Sequence, residues 1–306
     1  MSVDTASRAE RAGELRNSLV DKIIVDHAAK GLAMRADVER AMRKVPRDLF
    51  TPDVPLEEAY EDTAVITIRR GAEAISSVSA PYLIAEMLGQ AADALGCLEG
   101  HHALEIGSGG YNASLLRELV GPSGSVTTVD IDPEVTDRAV ACLAAAGYHD
   151  VTVVCADAEH PIAPTRRYDL IIVTAGAWDI PPAWREQLTD GGVLVVPLRM
   201  FGITKSWALR HRGGRLVSAS HRQCGFVSMQ GDGAHEVRYV DIAAKAVMDL
   251  FNPDHRFGFQ HIGNRIAQDE PGFLVGAAGV ALALANYGDL LARDVPTRWD
   301  ALLLLS

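Results

Sequence analysis

The chain has 306 residues, a formal net charge of −11, and 48% hydrophobic against 23% charged residues, the balance of a folded protein rather than a disordered one. That length is long for one hydrophobic core and short for two, which predicts one full domain with an appendage. The acidic balance argues against a nucleic-acid backbone or an anionic membrane as the main partner, though it is compatible with a locally basic groove.

The N-terminal segment MSVDTASRAERAGELRNSLVDK carries charges throughout, so it is not read as a secretory signal. No apolar run reaches the roughly 18 residues of a membrane-spanning helix. Leu15, Leu19, Ile23 and Ile24 recur at helical spacing, and residues from about 7 to 45 are predicted helical. A second helix is expected from Arg35 to Val45, stopping before Pro46. Between Pro46 and Pro81 the apolar pattern is irregular and broken by Pro52, Pro55 and Gly71, which predicts extended segments and loops. Pro81 then opens a helix to Ala94, with Ser79 near its N-terminal cap.

Short apolar strands at about 102–106, 125–130, 151–155, 169–174 and 193–197 alternate with helical stretches, the rhythm of an open parallel sheet covered by helices. The segments 204–211 and 215–221 flank Gly213-Gly214 and read as a β-hairpin. Beyond it, Asp241–Phe251 and Phe273–Tyr287 are predicted helices without sheet rhythm. The predicted segments are therefore 1–80 (N-terminal helices and a substrate or lid segment), 81–235 (the cofactor-binding α/β domain) and 236–306 (a helical extension). Cys97, Cys142, Cys155 and Cys224 form no C-x-x-C pair, which fits neither a zinc motif nor a disulfide framework and predicts a reducing, cytoplasmic setting.

The strand at 102–106 runs into Gly107-Ser108-Gly109-Gly110-Tyr111-Asn112 and a helix. Such a turn lets the backbone approach a ligand at the carboxyl edge of the sheet, although G-x-G alone is equally a plain tight turn. Asp130 ends the second strand, where a carboxylate can bond both hydroxyls of an adenosine ribose. Asn112 stands where a dinucleotide fingerprint has glycine or alanine. Glu105, just before the turn, would repel a pyrophosphate but suits the cationic amino-acid end of S-adenosylmethionine. Asp157 ends the next strand and can accept from an adenine amino group. Taken one at a time these are solvated strand-end acids; together around a glycine turn they point to S-adenosylmethionine. The predicted cofactor site comprises Glu105, Gly107, Ser108, Gly109, Asn112, Asp130, Ile131, Asp157, Ala158 and Thr174, with no metal.

In order and spacing, SVSAPYLIAEML (77–88), LEIGSGGYNASLL (104–116), VTTVDID (126–132), ADAE, YDLIIVTAGAWDIPPAWREQL and GGVLVVPL resemble the protein-L-isoaspartate O-methyltransferases over about residues 45 to 225. The resemblance implies a Rossmann-like class I S-adenosylmethionine-dependent methyltransferase of α/β class. With the strand rhythm and flanking segments read above, the sheet is expected to be mostly parallel and doubly wound, with a terminal β-hairpin, N-terminal helices and a helical C-terminal extension that ordinary members of the family lack. Ser77-Val78-Ser79-Ala80-Pro81 matches the family's T-I-S-x-P segment, which carries the serine that positions the substrate carboxylate. Ser79 therefore takes the catalytic place, with Ser77 standing for the threonine; a plain helix N-cap is the other reading of Ser79.

The words SSVSAP, EIGSGGYNA, GAWDIPPAW, VVPLRM and CGFVSMQGDGAH are similar to the FxLD-type methyltransferases encoded beside lanthipeptide genes, which esterify an ordinary aspartate in a ribosomal peptide before it closes to an aspartimide. The end of the chain, EPGFLVGAAGVALALANY with WDALLLL, resembles the final segment of lanthionine synthetase C-type cyclases. No Cys-His-Gly motif and no cysteine after Cys224 is present, so zinc-dependent cyclisation is not expected. A Gly/Ala-rich packing helix is the alternative reading of that tail.

The implied reaction is esterification of an aspartate in a lanthipeptide-type peptide, with isoaspartyl repair of damaged proteins as the alternative. Partners would be a peptide or protein presenting Asp or isoAsp and the enzymes of a biosynthetic cluster, with no nucleic acid or membrane. A non-catalytic peptide-binding module is the reading from a different class, and a small-molecule or RNA methyltransferase is open on fold alone. Arg69, Arg70 and Arg199 could recognise an acidic peptide but read first as plain surface cations, His101 and His102 are given no role, and Trp178 and Trp184 are either pocket or core residues.

Overall fold

The computed structural model describes residues 2–107, 109–163, 165–200, 203–234, 261–263 and 266–268. The chain divides into two compact units, one of residues 1–198 with 204–234 and the other of residues 199–203 with 235–306. Helix α1 (Ser2–Ala29) buries Leu19, Val20 and Ile23 on one face. Helix α2 (Ala36–Lys44) buries Val38, Ala41 and Met42, and it stops at Val45, which the following proline holds extended. A 3-10 turn (Arg47–Phe50) and the short α3 (Leu56–Ala59) follow.

Strands β1 (Val65–Arg70) and β2 (Glu73–Val78) then form an antiparallel hairpin turning at Gly71, whose φ is 63°. The irregular apolar pattern of this stretch has a cause in the hairpin itself. Its register shifts between Ile66 and Ile68 and again before Arg69, which breaks the two-residue alternation that marks a regular strand. Helix α4 (Pro81–Leu95) starts after Ala80 without a cap from its own segment; instead the Asp62 carboxylate accepts from the Tyr82 N–H at 2.9 Å. Ser79 is thus not the N-cap, and its hydroxyl is left for other work.

The main sheet has seven strands in the order β5-β4-β3-β6-β7-β8-β9. It comprises β3 (His102–Ile106), β4 (Ser125–Asp130), β5 (Thr152–Cys155), β6 (Tyr168–Val173), β7 (Leu188–Met200), β8 (Ile203–Arg212) and β9 (Arg215–Gln223). β3 pairs in parallel with β4 and β6, β4 with β5, and β6 with β7, while β8 and β9 form the antiparallel hairpin. Helices α5 (Tyr111–Val120), α6 (Pro133–Ala145) and α7 (Pro182–Gln187) supply crossovers. Alternate strand residues divide between two buried clusters. Ala103, Leu170, Ile172, Val193 and Val195 pack with the N-terminal helices, α4 and α5. Leu104, Ile106, Ile171, Val173, Leu194 and Val196 pack with Trp184. Trp184 is fully buried and donates to the Ala158 carbonyl at 2.7 Å, which makes it a core residue.

Beyond residue 234 the described residues are β10 (His261–Gly263) and β11 (Ile266–Gln268), an antiparallel pair where the sequence predicts only helix. Three-residue strands are too short to show an alternation. The predicted helices Asp241–Phe251 and Phe273–Tyr287 lie outside the described residues, as does the cyclase-like tail. No helix among the described residues is long and apolar enough to cross a membrane.

The turn between α5 and β4 is a tight point in this packing. A Cβ on Gly124 would lie 2.5 Å from the His101 carbonyl oxygen and 2.7 Å from that of Val120, both backbone atoms that cannot swing aside. Gly124→Ala is expected to cost about 1–3 kcal/mol in urea unfolding, the range of an overpacked core substitution; an unchanged midpoint would show that the turn relaxes.

Candidate active site

The order of strands reverses its growth between β3 and β6, and a cleft opens there at the carboxyl edge of the sheet, as expected of open α/β folds. It encloses about 620 Å³, part of it open to solvent, and Gly107, Asp130, Ile131, Asp157, Ala158 and Thr174 line it. A smaller adjoining pocket of about 240 Å³ is lined by Ser77, Ser79, Glu105, Gly109, Asn112 and Thr174, among others. Every predicted cofactor residue but one therefore borders one of these two spaces; Ser108 lies outside the described residues.

The backbone sets this edge. Gly107 has a φ of 88°, and its N–H donates to the Val129 carbonyl at 2.8 Å. A Cβ there would sit 3.3 Å from the Thr174 hydroxyl, so the turn needs glycine on both counts. Thr174 donates to the carbonyls of Ile106 and Gly107 and so pins the turn rather than facing a ligand with a free hydroxyl. Gly110 has a φ of 86°, and a Cβ on it would lie 3.2 Å from the Phe50 ring. Here the N-terminal segment packs directly on the glycine turn.

Glu105 is 1% exposed and accepts from Thr128 Oγ1 at 2.7 Å. Asp130 Oδ1 accepts from the Asp132 N–H at 2.9 Å, and Asp132 in turn caps α6 through the Glu134 N–H. Arg70 reaches from the β1–β2 hairpin to Asp132 at 2.6 Å, so it acts as a tie rather than a free surface cation. Asp157 accepts from the Glu159 N–H through Oδ1 and from the Asp232 N–H through Oδ2, both at 2.9 Å. A carboxylate has about four acceptor sites, so two remain for a ligand. Asn112 is buried, and neither its Oδ1 nor its Nδ2 has a partner. An orphaned amide of that kind in a polar pocket is costly unless a ligand completes it. Acids at the strand ends, an incomplete amide and a close-approach turn fit an amino-acid nucleoside such as S-adenosylmethionine.

Ser77 and Ser79 border the smaller pocket, and among the described residues neither hydroxyl has a hydrogen-bond partner. Arg47, 1% exposed, stands behind them: its guanidinium lies 5.0 Å from the centre of the Tyr111 ring. Burial pushes the Arg47 pKa down, against the attraction of Tyr111 and Asp62.

Residues 227–230 were not singled out by spacing but form one wall of the larger cleft. This strap is held by Gly176, whose N–H donates to the Val227 carbonyl at 2.7 Å and whose carbonyl accepts from Met229 at 3.0 Å. Gln230 Nε2 donates to the Ile75 carbonyl of β2 at 3.3 Å. Gly231 lets the strap close, since a Cβ there would collide with Asp157 and Ile131. Its residues lie in the word CGFVSMQGDGAH, which carries the resemblance to the lanthipeptide-associated enzymes but does not by itself place them at the cleft. Trp178 is half-buried and borders neither space, and His102 faces Ser125.

The model of the family "Protein-L-isoaspartate(D-aspartate) O-methyltransferase (PCMT)" matches residues 17–234. The chain belongs to that family. It is an S-adenosylmethionine-dependent carboxyl O-methyltransferase, as the family and the cleft agree. A protein-L-isoaspartate O-methyltransferase of Ignicoccus hospitalis is 40% identical over 60% of this chain and 82% of its own. Protein-L-isoaspartate O-methyltransferase 2 of Archaeoglobus fulgidus is 35% identical over 71% and 95%. A solved protein-L-isoaspartate O-methyltransferase superposes with a TM-score of 0.62 at 25% identity, covering 76% of this chain and 70% of that one. A Plasmodium falciparum PCMT structure in complex with S-adenosyl-L-homocysteine shares the fold at a TM-score of 0.59 and 18% identity, covering 70% of this chain and 98% of that one.

Asp130→Ala removes an acceptor at the larger cleft, and a hydrogen bond to a charged group contributes about 1.5–3 kcal/mol. Calorimetric titration with S-adenosylhomocysteine should show affinity reduced by about 10- to 100-fold; a change within twofold would remove Asp130 from the cofactor site.

Proposed function

We propose that this enzyme methylates the free α-carboxylate of isoaspartyl residues in proteins or peptides. The observation that carries the reading is the pair of unpartnered hydroxyls, Ser77 and Ser79, in a small pocket that adjoins the cofactor cleft and shares Ser77, Gly107 and Thr174 with it. The names of the relatives at 35–43% identity support isoaspartate as substrate.

Bound S-adenosylmethionine supplies a methyl group on a sulfonium, already activated toward an ionised carboxylate. The chain needs no strong base, because the carboxylate carries its own negative charge; its task is alignment. Ser79, Ser77 and nearby backbone N–H groups hold one carboxylate oxygen and leave the other to attack. The β1–β2 hairpin and the 227–230 strap limit water, tied down by Arg70–Asp132 and Gln230–Ile75. Once the ester leaves, the backbone nitrogen of the following residue attacks its carbonyl carbon, expels methanol and closes a five-membered succinimide. That step needs nothing further from the protein.

A second reading is favoured by one observation: the family match ends at residue 234, and residues 235–306 follow it. The cyclase-like words of that tail and the lanthipeptide-associated words of the domain support an ordinary aspartate in a ribosomal peptide as substrate.

Matched isoAsp and Asp peptides, including a lanthipeptide precursor, with S-adenosylmethionine and mass spectrometry separate the two. Gain of a methyl group and then loss of methanol on isoAsp peptides alone is the expected result; methylation confined to Asp in the ribosomal peptide would overturn it in favour of the second reading. Ser79→Ala should lower kcat by about 10- to 100-fold, from the loss of a charged hydrogen bond, with S-adenosylhomocysteine affinity within about twofold. Equal loss of both would take Ser79 out of the substrate pocket.

A further inference from the structure

Arg47 is the largest charged side chain buried in the described structure, and nothing in the proposed chemistry has yet used it. Four hydrogen bonds hold it, all to backbone carbonyls: Nε to Ala59 at 2.9 Å, Nη1 to Ser79 at 2.9 Å, and Nη2 to Thr63 at 3.0 Å and Val78 at 3.3 Å. Among the described residues no carboxylate lies within ion-pairing distance of it; Asp62 and Tyr60 act on it through space, and Tyr111, over whose ring the guanidinium lies, adds a side-chain interaction. A buried cation without a contact anion is costly, and an apolar side chain would fill such a site with less penalty. If packing alone were at stake, the guanidinium would be a poor choice.

The carbonyls it selects explain the choice. Two of them, Val78 and Ser79, are successive peptide groups of the segment that borders the smaller pocket. The chain has no cis peptide among its described residues, and in a trans peptide the N–H points opposite to its carbonyl. Fixing the Val78 and Ser79 carbonyls on the guanidinium therefore turns the N–H groups of Ser79 and Ala80 away from it. Among the described residues neither N–H has a hydrogen-bond partner. Only a planar fork with donors on both sides grips neighbouring carbonyls in this way, while also tying Ala59 and Thr63 from the preceding segment. Gly109 completes the geometry: a Cβ on it would lie 3.3 Å from the Val78 side chain, so the cofactor turn and this segment are in close register.

We propose that Arg47 is a positioning residue for methyl transfer, which sets the Val78–Ser79 peptide planes so that the N–H groups of Ser79 and Ala80, together with the Ser79 hydroxyl, receive the substrate carboxylate. This rests on the carboxyl-methylation reading above. It assigns substrate recognition to two backbone donors oriented from behind, and makes Arg47 a residue that touches neither substrate nor cofactor.

The test compares wild type, Arg47→Lys and Arg47→Gly on whichever of the isoAsp and Asp peptides wild type methylates, with S-adenosylhomocysteine affinity measured in parallel. Arg47→Lys keeps the charge but loses the fork, and is expected to lower kcat/KM for the peptide at least 30-fold with cofactor-product affinity within twofold. Arg47→Gly should be as impaired, and millimolar methylguanidinium should restore its turnover at least 10-fold where methylammonium does not. Variants with wild-type kcat/KM overturn the proposal, as does rescue by both cations alike or a cofactor affinity that falls in step with turnover. Loss of the folded state in both variants, unrelieved by methylguanidinium, assigns Arg47 to stability and also overturns it. A wild type that binds S-adenosylhomocysteine but methylates neither peptide overturns the function reading, and this proposal with it.

Discussion

A parallel sheet must finish its strands on one edge, and the chemistry of this chain depends on where that edge lies. Because β3 pairs with β4 on one side and β6 on the other, chain leaving β3 turns over an edge that neither neighbouring crossover covers. The register then brings Glu105, Asp130 and Asp157 to consecutive strand ends without any of the three being adjacent in sequence. Burial of Glu105 and the backbone bonds to Asp130 and Asp157 hold the carboxylates in place before a ligand arrives. That is preorganisation at the level of the sheet, and a short glycine turn completes the cleft.

In the first unit, the described N-terminal segment and the β1–β2 hairpin gather around the same edge. The N-terminal helices pack with α4 and α5 on one face, and their chain then returns through Arg47–Phe50 to touch the glycine turn at Gly110. The β1–β2 hairpin is anchored at two separated points, to the loop after β4 by Arg70 and to the strap by the Ile75 carbonyl. A two-stranded hairpin is marginal by itself, so these ties and the Arg47 carbonyl contacts at its end give it a fixed place over the cleft. The Ser77 and Ser79 positions inherit that placement.

The sheet was legible in the sequence because its central strands bury both faces and all are punctuated by turn residues; strand ends and the hairpin at Gly213-Gly214 lie within a few residues of their expected places. β7 begins earlier than its apolar run, since Gly191 and Gly192 interrupt the pattern while the strand continues past them. The carboxylates that border the cleft were legible because their spacing follows the βα repeat. Arg47 was not, and the strap, though its residues belong to a quoted family word, was not placed at the cleft by it. Arg47 looks like any polar residue after a proline, and only the fold shows that four carbonyls converge on it. The strap's contacts with Asp157 and Gly176 run across about 50 to 75 residues of chain, a separation that local pattern does not encode.

A carboxylate substrate entering beside Glu105 meets a site whose own side chains are acidic or neutral: among the described residues no lysine or arginine lines either space. A direct ion pair would bind it more tightly but would draw charge from the oxygen that has to attack, since charge-assisted contacts stabilise the ionised ground state. Neutral donors avoid that penalty. Serine hydroxyls and backbone N–H groups can orient a carboxylate oxygen while leaving its partner nucleophilic, and the positive charge that favours its approach is that of the sulfonium, which the reaction itself discharges. In this arrangement Arg47 is one step removed on purpose of geometry: its charge is spread over four carbonyls, and what reaches the pocket is the orientation of two peptide groups. The acidic lining and the buried cation are then two parts of one solution to binding an anion without quenching it.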